Sequence, residues 1–293
     1  MHTYYRGRLL AVILLLSIPL AGCTDGSQNN DQQNANAGPT TGSQKAAHWV
    51  AQFRSPSSAN VQGTNLGFFS YSAISVVSQS TVFVAGDMPF FRNSTGRIGV
   101  IVRTTDGGKS WDEKPIEQPG MEIQTLNSIH FVDPQNGWAV GLDSNDQGLV
   151  LRTTDGGQNW TISKLNFKQH PTVVYFADAQ TGWMGGSTPM PGQDSESEGG
   201  PSDILSTTDG GATWAVQRRV PVSILDFSFI DKMQGWASGF RGVIYHTTDG
   251  GRTWSQQRSE LEMGAGIVSP DSEGAKKFMI TAIQFIDPQN GWA

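Results

Sequence analysis

Short runs in which hydrophobic and polar residues alternate predict that this chain folds into β-strands. Ile129 and Phe131 alternate with polar neighbours, and so do Leu225, Phe227 and Phe229. A period of two is typical of a strand that buries one face. Further strands are predicted by the apolar runs at residues 100–102, 149–151 and 243–245.

Two sequence motifs alternate along the chain. The first, Thr-Thr-Asp-Gly-Gly-x-x-Trp, has aspartates that lie 49, 54 and 40 residues apart. The second begins with Phe-x-Asp and ends with Gly-Trp, and a weaker early copy spans residues 74–86. Such a repeat predicts a fold built from similar units. Copies of the first motif span residues 104–111, 153–160, 207–214 and 247–254, and copies of the second span 131–138, 176–183, 229–236 and 285–292.

Each repeat supplies four short strands, which predicts an all-β fold with four-stranded antiparallel blades, a β-propeller. The second motif predicts a tight hairpin at residues 133–137, in which Pro134 presets a turn and both Asn136 and Gly137 can adopt positive φ. About four and a half blades fit within residues 48–293.

The first motif resembles the Asp-box, also called the BNR repeat, which in that family forms the hairpin between the third and fourth strands of a blade. A carboxylate in such a turn can accept N–H bonds from the turn itself. Glycine permits the backbone that the turn needs, and tryptophan packs between adjoining strands. We therefore expect a structural role, not metal binding or acid catalysis, for Asp106, Gly108, Trp111, Asp155, Gly157, Trp160, Asp209, Gly211, Trp214, Asp249, Gly251 and Trp254.

The N-terminus resembles the signal of a bacterial lipoprotein. Arg6 and Arg8 precede an apolar run too short to cross a bilayer as a permanent helix, and Leu-Ala-Gly then leads to Cys23. The resemblance implies cleavage of residues 1–22 and lipidation of Cys23, the one cysteine of the chain. An ordinary secretory signal is the alternative. Residues 23–47 are polar and predict a flexible tether.

The charge of the chain argues against nucleic-acid binding. The sequence has 20 Lys and Arg against 26 Asp and Glu, a net charge of −6. Removing residues 1–22 takes away Arg6 and Arg8 and no acid, so the mature chain is more negative by two charges. A protein this acidic is poorly suited to binding a polyanion in general.

The segment around Trp49 resembles the fourth strand of a blade with no blade before it. We expect residues 48–54 to complete the last blade and close the ring. Because the sequence stops at Ala293, in the second strand of a blade, we expect residues 48–293 to be a propeller truncated at its C-terminal side. Seven blades in the complete protein is a number implied by the family below.

The pairing of the two motifs resembles the photosystem II stability/assembly factor type of Asp-box propeller, over roughly residues 48–293. The resemblance implies a membrane-associated scaffold that binds a newly made membrane-protein subunit, with no catalytic residues and no cofactor. With the lipid anchor, it implies an extracytoplasmic location: periplasm, cell surface or thylakoid lumen.

A basic stripe is associated with partner binding in that family. The position three before each box aspartate holds Arg103, Arg152, Ser206 and His246. We therefore regard Arg97, Arg103, Arg152, Arg241 and His246 as candidate partner-binding residues. The alternative is that they are ordinary solvated strand residues.

Two other functions are considered. A carbohydrate-binding or adhesion module would use exposed aromatics such as Phe90 and Phe91, whereas a sialidase or xyloglucanase would need catalytic groups that the sequence does not offer. The histidines are scattered, so no metal site is predicted. Two insertions, residues 188–203 and 255–277, are long loops of the kind that often carry binding.

Overall fold

The computed structural model describes residues 70–89, 97–188, 200–257, 262–263, 266–267 and 279–293. These residues form short strands joined by turns. The strands are β1 (Ser70–Val76), β2 (Val82–Pro89), β3 (Arg97–Thr104), β4 (Asp112–Pro115), β5 (Ile123–Phe131), β6 (Gly137–Asp143), β7 (Gly148–Thr153), β8 (Thr161–Lys164), β9 (His170–Phe176), β10 (Gly182–Ser187), β11 (Ser202–Thr207), β12 (Ala215–Val220), β13 (Ile224–Phe229), β14 (Gly235–Gly239), β15 (Ile244–Thr247), β16 (Ser255–Gln257), β17 (Glu262–Met263), β18 (Gly266–Ile267), β19 (Gln284–Phe285) and β20 (Gly291–Trp292).

Four consecutive groups of four strands form antiparallel sheets, each in chain order. We call them blade 1 (β1–β4), blade 2 (β5–β8), blade 3 (β9–β12) and blade 4 (β13–β16). Strands β19 and β20 pair as a two-stranded sheet that begins a fifth blade, and β17 pairs with β18 in the connection before it. The predicted fold class is therefore confirmed, with four blades and part of another.

Antiparallel neighbours place alternate turns at opposite ends of each sheet. The turns between first and second strands therefore share one end, the box face, with the Asp-box turns between third and fourth strands. A backbone hydrogen bond joins the two turns within a blade: Gly156 N donates to Gln135 O at 3.0 Å, and Gly210 N to Gln180 O at 2.9 Å. The remaining connections lie at the other end, the loop face.

The turn of the second motif differs from the prediction. Neither Asn136 nor Gly137 has positive φ. The Asp133 carboxylate instead closes the turn by accepting N–H bonds from Gln135 at 2.7 Å and Asn136 at 2.8 Å. Glycine is needed at 137 because a Cβ there would lie 2.5 Å from the Phe131 ring.

Several expectations concern residues outside the described ranges. They are the signal peptide, Cys23, the tether, the strand at residues 48–54, Phe90 and Phe91, and most of the acidic insertion. Among the residues described, no helix has the length and apolar character needed to cross a membrane.

Candidate functional site

The Asp-box of blade 2 is held by groups of its own turn. Thr153 Oγ1 donates to Asp155 Oδ1 at 2.8 Å and accepts from Gly157 N at 2.9 Å. Asn159 donates its backbone N–H to Asp155 Oδ1 at 3.0 Å and its amide to Asp155 Oδ2 at 2.8 Å. Both box glycines have positive φ, which other residues rarely adopt.

The other three boxes repeat this arrangement with a hydroxyl in the place of the Asn159 amide. Ser110, Thr213 and Thr253 each donate to the box carboxylate at 2.6 Å. Hydrogen bonds that favour the ionised form lower the pKa of all four box aspartates to about 2. Among the residues described, no group of three or more His, Cys, Asp and Glu side chains is arranged to hold a metal ion.

The tryptophan of the second motif lies between blades. Trp138 of blade 2 stacks on Phe176 of blade 3 with ring centroids 3.6 Å apart, and its indole N–H donates to Gly210 O of the blade 3 Asp-box at 2.9 Å. Trp183 makes the same two contacts one blade later. Its ring centroid lies 3.8 Å from that of Phe229, and its indole N–H donates to Gly250 O at 3.2 Å.

The same stack occurs at each of the other interfaces described. Phe83 stacks on Phe131 at 3.8 Å, and Trp236 stacks on Phe285 at 3.8 Å. Box tryptophans meet these phenylalanines edge-on, as Trp160 meets Phe131 at 6.0 Å and 88°. Phe131, Phe176 and Phe229 therefore each pack both on the preceding blade and on the Asp-box tryptophan of their own blade.

Trp292, in the last copy of the second motif, is not packed like the tryptophans of the earlier copies. Its side chain is 62% exposed, whereas Trp138 is fully buried. Gly210 of the blade 3 Asp-box covers the ring of Trp138, and no such contact to Trp292 is present among the described residues.

Three of the candidate partner-binding residues take part in these interfaces. Arg103, Arg152 and His246 each pair across their sheet with the aromatic ring just described. Arg103 Nη1 donates to Gly156 O in the next Asp-box at 2.8 Å, and the Arg152 guanidinium lies against Gly210.

His246 stacks on Trp236 at 4.6 Å. In the described part of the chain, the contacts of Arg103 and Arg152 connect blades, whereas that of His246 lies within blade 4. Partner binding by Arg103, Arg152 and His246 stays a prediction.

The other two candidates lie toward the loop face. Arg97 pairs with the buried Asp87 at the opposite end of β3 from Arg103. Arg241 lies in the turn between β14 and β15, where its backbone φ is 60°. The structure therefore divides the five candidates between the two ends of the blades, and their partner binding remains to be tested.

The innermost strands of blades 3 and 4, and strand β19, are each capped by a residue of the preceding blade that the sequence patterns did not single out. His130 Nε2 donates to Phe176 O of blade 3 at 3.0 Å, and the Tyr175 hydroxyl donates to Phe229 O of blade 4 at 3.2 Å. The equivalent Ser228 accepts from Phe285 N at 2.8 Å. Their common signal is that each stands one position before the phenylalanine of the second motif or its equivalent.

Two ionisable groups near these caps have shifted pKa values. Burial lowers the pKa of His130 to about 4, although its bond to Phe176 O acts in the opposite sense. Burial raises the pKa of Asp226 to about 6, although it accepts N–H bonds from Ile283 at 2.8 Å and Phe227 at 2.9 Å. The inner edge therefore contains a histidine with a lowered pKa and an aspartate with a raised pKa.

Comparison with known proteins identifies similar chains. The profile of a family described as "Photosynthesis system II assembly factor YCF48" matches residues 70–181. No curated protein sequence matches.

Among solved structures, "YCF48 bound to D1 peptide" is 15% identical, with 75% of this chain and 87% of that chain covered and a TM-score of 0.37. YCF48 from Cyanidioschyzon merolae is 16% identical, with 64% and 72% covered and a TM-score of 0.31. A GH74 xyloglucanase from Xanthomonas campestris is 9% identical, with 65% and 38% covered and a TM-score of 0.39.

The profile match falls on blade 1, blade 2 and the first strand of blade 3. With its repeated boxes and four-stranded blades, the chain is an Asp-box β-propeller that resembles the photosystem II assembly factor family.

Proposed function

We propose that this protein is a lipid-anchored extracytoplasmic scaffold that binds a protein partner and has no catalytic activity. The observation that carries the proposal is the use of the box carboxylates: their described hydrogen bonds come from their own turns, such as those of Thr153 and Asn159 to Asp155. A repeated acid used in this way supports a structural role and leaves recognition to the surface.

The kind of partner follows from the resemblance. The matched family is described as an assembly factor, and an assembly factor acts on other polypeptides. We propose a membrane-protein subunit as partner, because lipidation of Cys23 would hold the propeller at a membrane surface. Several acyl chains give stable anchoring, whereas one gives marginal binding.

The test is capture of partners from membranes of the source organism. The full chain, with its lipid, is cross-linked in the membrane, purified by a C-terminal tag and analysed by mass spectrometry. We expect a membrane polypeptide in comparable molar amount. Hydrolysis of xyloglucan or sialyllactose by the purified protein, or capture of no polypeptide, would contradict the proposal.

A matched pair of variants tests the loop face. Arg241→Glu reverses a charge beside β14 on the loop face, and Arg252→Glu makes the same change in an exposed residue of the box face. If Arg241 contacts the partner, Arg241→Glu reduces capture and Arg252→Glu does not. Equal capture by both variants removes Arg241 from the candidates.

A further inference from the structure

The outer rim has an open cleft at two successive blade interfaces. Each rim cleft lies between the outer strand of one blade and the box tryptophan of the next. The first, between blades 1 and 2, has a volume of about 240 Å³ and is lined by Lys114 and Trp160. The second, between blades 2 and 3, has a volume of about 130 Å³ and is lined by Ser163 and Trp214.

At the third interface, the equivalent position holds an arginine that crosses to the next blade. Arg218 of blade 3 donates from Nη1 to the backbone oxygen of Trp254 at 2.6 Å, and its guanidinium carbon lies 5.6 Å from the Tyr245 ring centroid. Trp254 is 2% exposed, whereas Trp160 and Trp214 are half-buried.

Strand register establishes that the three positions are equivalent. Lys114 pairs with Ile101, two residues before Arg103. Arg218 pairs with Ile204, two residues before Ser206 at the same position of its blade. Ser163 likewise pairs with the residue two before Arg152. The chain therefore shows, at its third interface, how a guanidinium occupies the space that is open at the first two.

The first rim cleft offers two carboxylates to an incoming guanidinium. Asp112 and Glu117 line it and are exposed. Lys114 pairs with Asp112 at 3.5 Å and is itself 50% exposed, so it lies partly in solvent. Of the two cations around the cleft, Arg103 already donates to Gly156 O. Carboxylates form charge-assisted hydrogen bonds with guanidinium, and an indole is the aromatic ring that attracts a cation most strongly.

We propose that the first rim cleft binds an arginine side chain of the protein partner. This inference rests on the proposed function and names the chemistry that the partner presents. The guanidinium lies against Trp160 and pairs with Glu117 and Asp112. The second rim cleft is a weaker site, since its described lining includes Lys164 and no acid.

The direct test uses small blocked peptides and the full chain in detergent micelles. Acetyl-Gly-Arg-Gly-amide is titrated while the Trp160 indole N–H is observed by NMR, with its signal assigned from Trp160→Phe. We expect a saturable shift for the arginine peptide and at least about tenfold weaker binding for the citrulline peptide, which has the same shape and no charge. No shift at Trp160, or equal binding of both peptides, would overturn the proposal.

Variants of the cleft separate recognition from folding. Glu117→Gln removes one carboxylate charge at an exposed position and should weaken the arginine peptide about tenfold. Lys114→Arg places a guanidinium at the position that Arg218 has in blade 3, so it should fill the cleft and abolish peptide binding. Ser163→Arg fills the second rim cleft and should leave binding at Trp160 unchanged. Unweakened binding to Lys114→Arg would contradict the proposal.

This titration needs no natural partner. Peptide binding at Trp160 without capture of any membrane polypeptide would count against the proposed function alone. The opposite result is also informative. If Lys114→Arg captures as much polypeptide as the wild type and the arginine peptide does not bind, only the arginine site is contradicted.

Discussion

At the scale of single residues, an Asp-box carboxylate acts as the organising acceptor of its own turn. Asp209 accepts the Thr213 hydroxyl at 2.6 Å, the Thr213 N–H at 2.9 Å and the Thr207 hydroxyl at 2.7 Å. All three bonds are strongest to the ionised carboxylate, which is why the pKa of Asp209 is lowered to about 2.

This lowered pKa predicts an acid-dependent loss of stability. A carboxyl group whose pKa is lowered in the folded state stabilises the fold fully above its ordinary pKa near 4, and that contribution disappears as pH falls through 2. Asp209→Asn should therefore have a lower Tm than the wild type at pH 6, with a difference that shrinks between pH 4 and pH 2. Circular dichroism melts at each pH provide the measurement.

Asp112→Asn is the control for this experiment, because Asp112 is exposed and its described ion pair is the 3.5 Å contact with Lys114. It should change Tm little. A Tm difference for Asp209→Asn that stays constant down to pH 2 would show that the ionised form of Asp209 does not stabilise the turn.

Arg103 replaces a hydrogen bond that tryptophan donates elsewhere. Trp183 reaches the Asp-box oxygen of the next blade from its indole, opposite Ser206. In blade 1 the ring is Phe83, which has no donor, and Arg103 opposite it donates to Gly156 O. The two pairs, Phe with Arg and Trp with Ser, therefore satisfy the same kind of acceptor.

If the two pairs are interchangeable, a second substitution should compensate for the loss of Arg103. Arg103→Ser leaves Gly156 O without its described donor and should lower the free energy of unfolding by about 1–3 kcal/mol. Adding Phe83→Trp reproduces the blade 3 pair and should recover most of that loss. Urea unfolding of the wild type, the two single variants and the double variant measures these free energies. A double variant no more stable than Arg103→Ser would refute the exchange.

At the scale of elements, adjacent blades are joined by a face-to-face ring stack and by capped inner strands. The stack of Trp138 on Phe176 buries both rings completely or nearly so. The caps satisfy backbone groups at the free edge of each inner strand, which would otherwise lack partners. His130 and Tyr175 perform this capping at equivalent positions of blades 2 and 3.

The capping histidine predicts that stability also depends on pH in a range higher than that of the Asp-box carboxylates. The pKa of His130 is lowered to about 4 from 6.5, so the fold favours neutral histidine. Its contribution to stability is full above pH 6.5 and is lost as pH falls toward 4. His130→Tyr, which copies Tyr175, should therefore gain stability relative to the wild type between pH 7 and pH 4.5, as measured by urea unfolding.

Asp226 changes stability in the opposite sense over the same range. Because its pKa is raised to about 6, protonation below pH 6 favours the fold. Both proteins keep Asp226, so the difference between them isolates His130. A difference between wild type and His130→Tyr that does not change with pH would contradict the capping role.

The strands could be predicted from sequence because two motifs mark their ends. Pairs such as Asp133 with Asn136, and Thr153 with Gly157, are close in sequence, so the residues that form each turn can be found locally. The partner of Trp138 could not be predicted, because Gly210 lies 72 residues away and is reached only when blades pack. The interface role of Arg103 could not be predicted either, because its partner Gly156 lies in the next blade.

The candidate site was predictable to a smaller extent. The repeated position of Arg103, Arg152 and His246 is visible in sequence, but the direction of the two arginines toward the next blade depends on sheet twist and packing. The equivalence of Lys114, Ser163 and Arg218 depends on strand register. The pairing of β11 with β12 is irregular between Ile204 and Leu205, which shifts the count along β12 by one.

At the scale of the whole molecule, the proposal joins a membrane anchor, a tether and a propeller that presents its surface to a partner. The net charge of −6 favours approach of cationic segments, in keeping with an arginine-binding cleft. Recognition would thus occur on the rim and loop face, and the box aspartates would serve the fold.

Lipidation at Cys23 has a direct test. Cys23→Ser removes the thiol that would carry the lipid, so the protein should move from the membrane fraction to the extracytoplasmic fluid. Fractionation followed by immunoblotting measures the distribution. Thr24→Ser, next to it, is the control and should stay with the membrane. A Cys23→Ser protein that remains in the membrane fraction would show that another segment or a partner holds it there.

The central claim is that the Asp-boxes hold the blades and take no part in recognition, and Asp155→Ala tests it most directly. The variant loses the acceptor of the Thr153 and Asn159 hydrogen bonds. The measurement is Tm together with the amount of membrane polypeptide captured per folded molecule. We predict a lower Tm with unchanged capture per folded molecule. An unchanged Tm with lost capture would contradict the account.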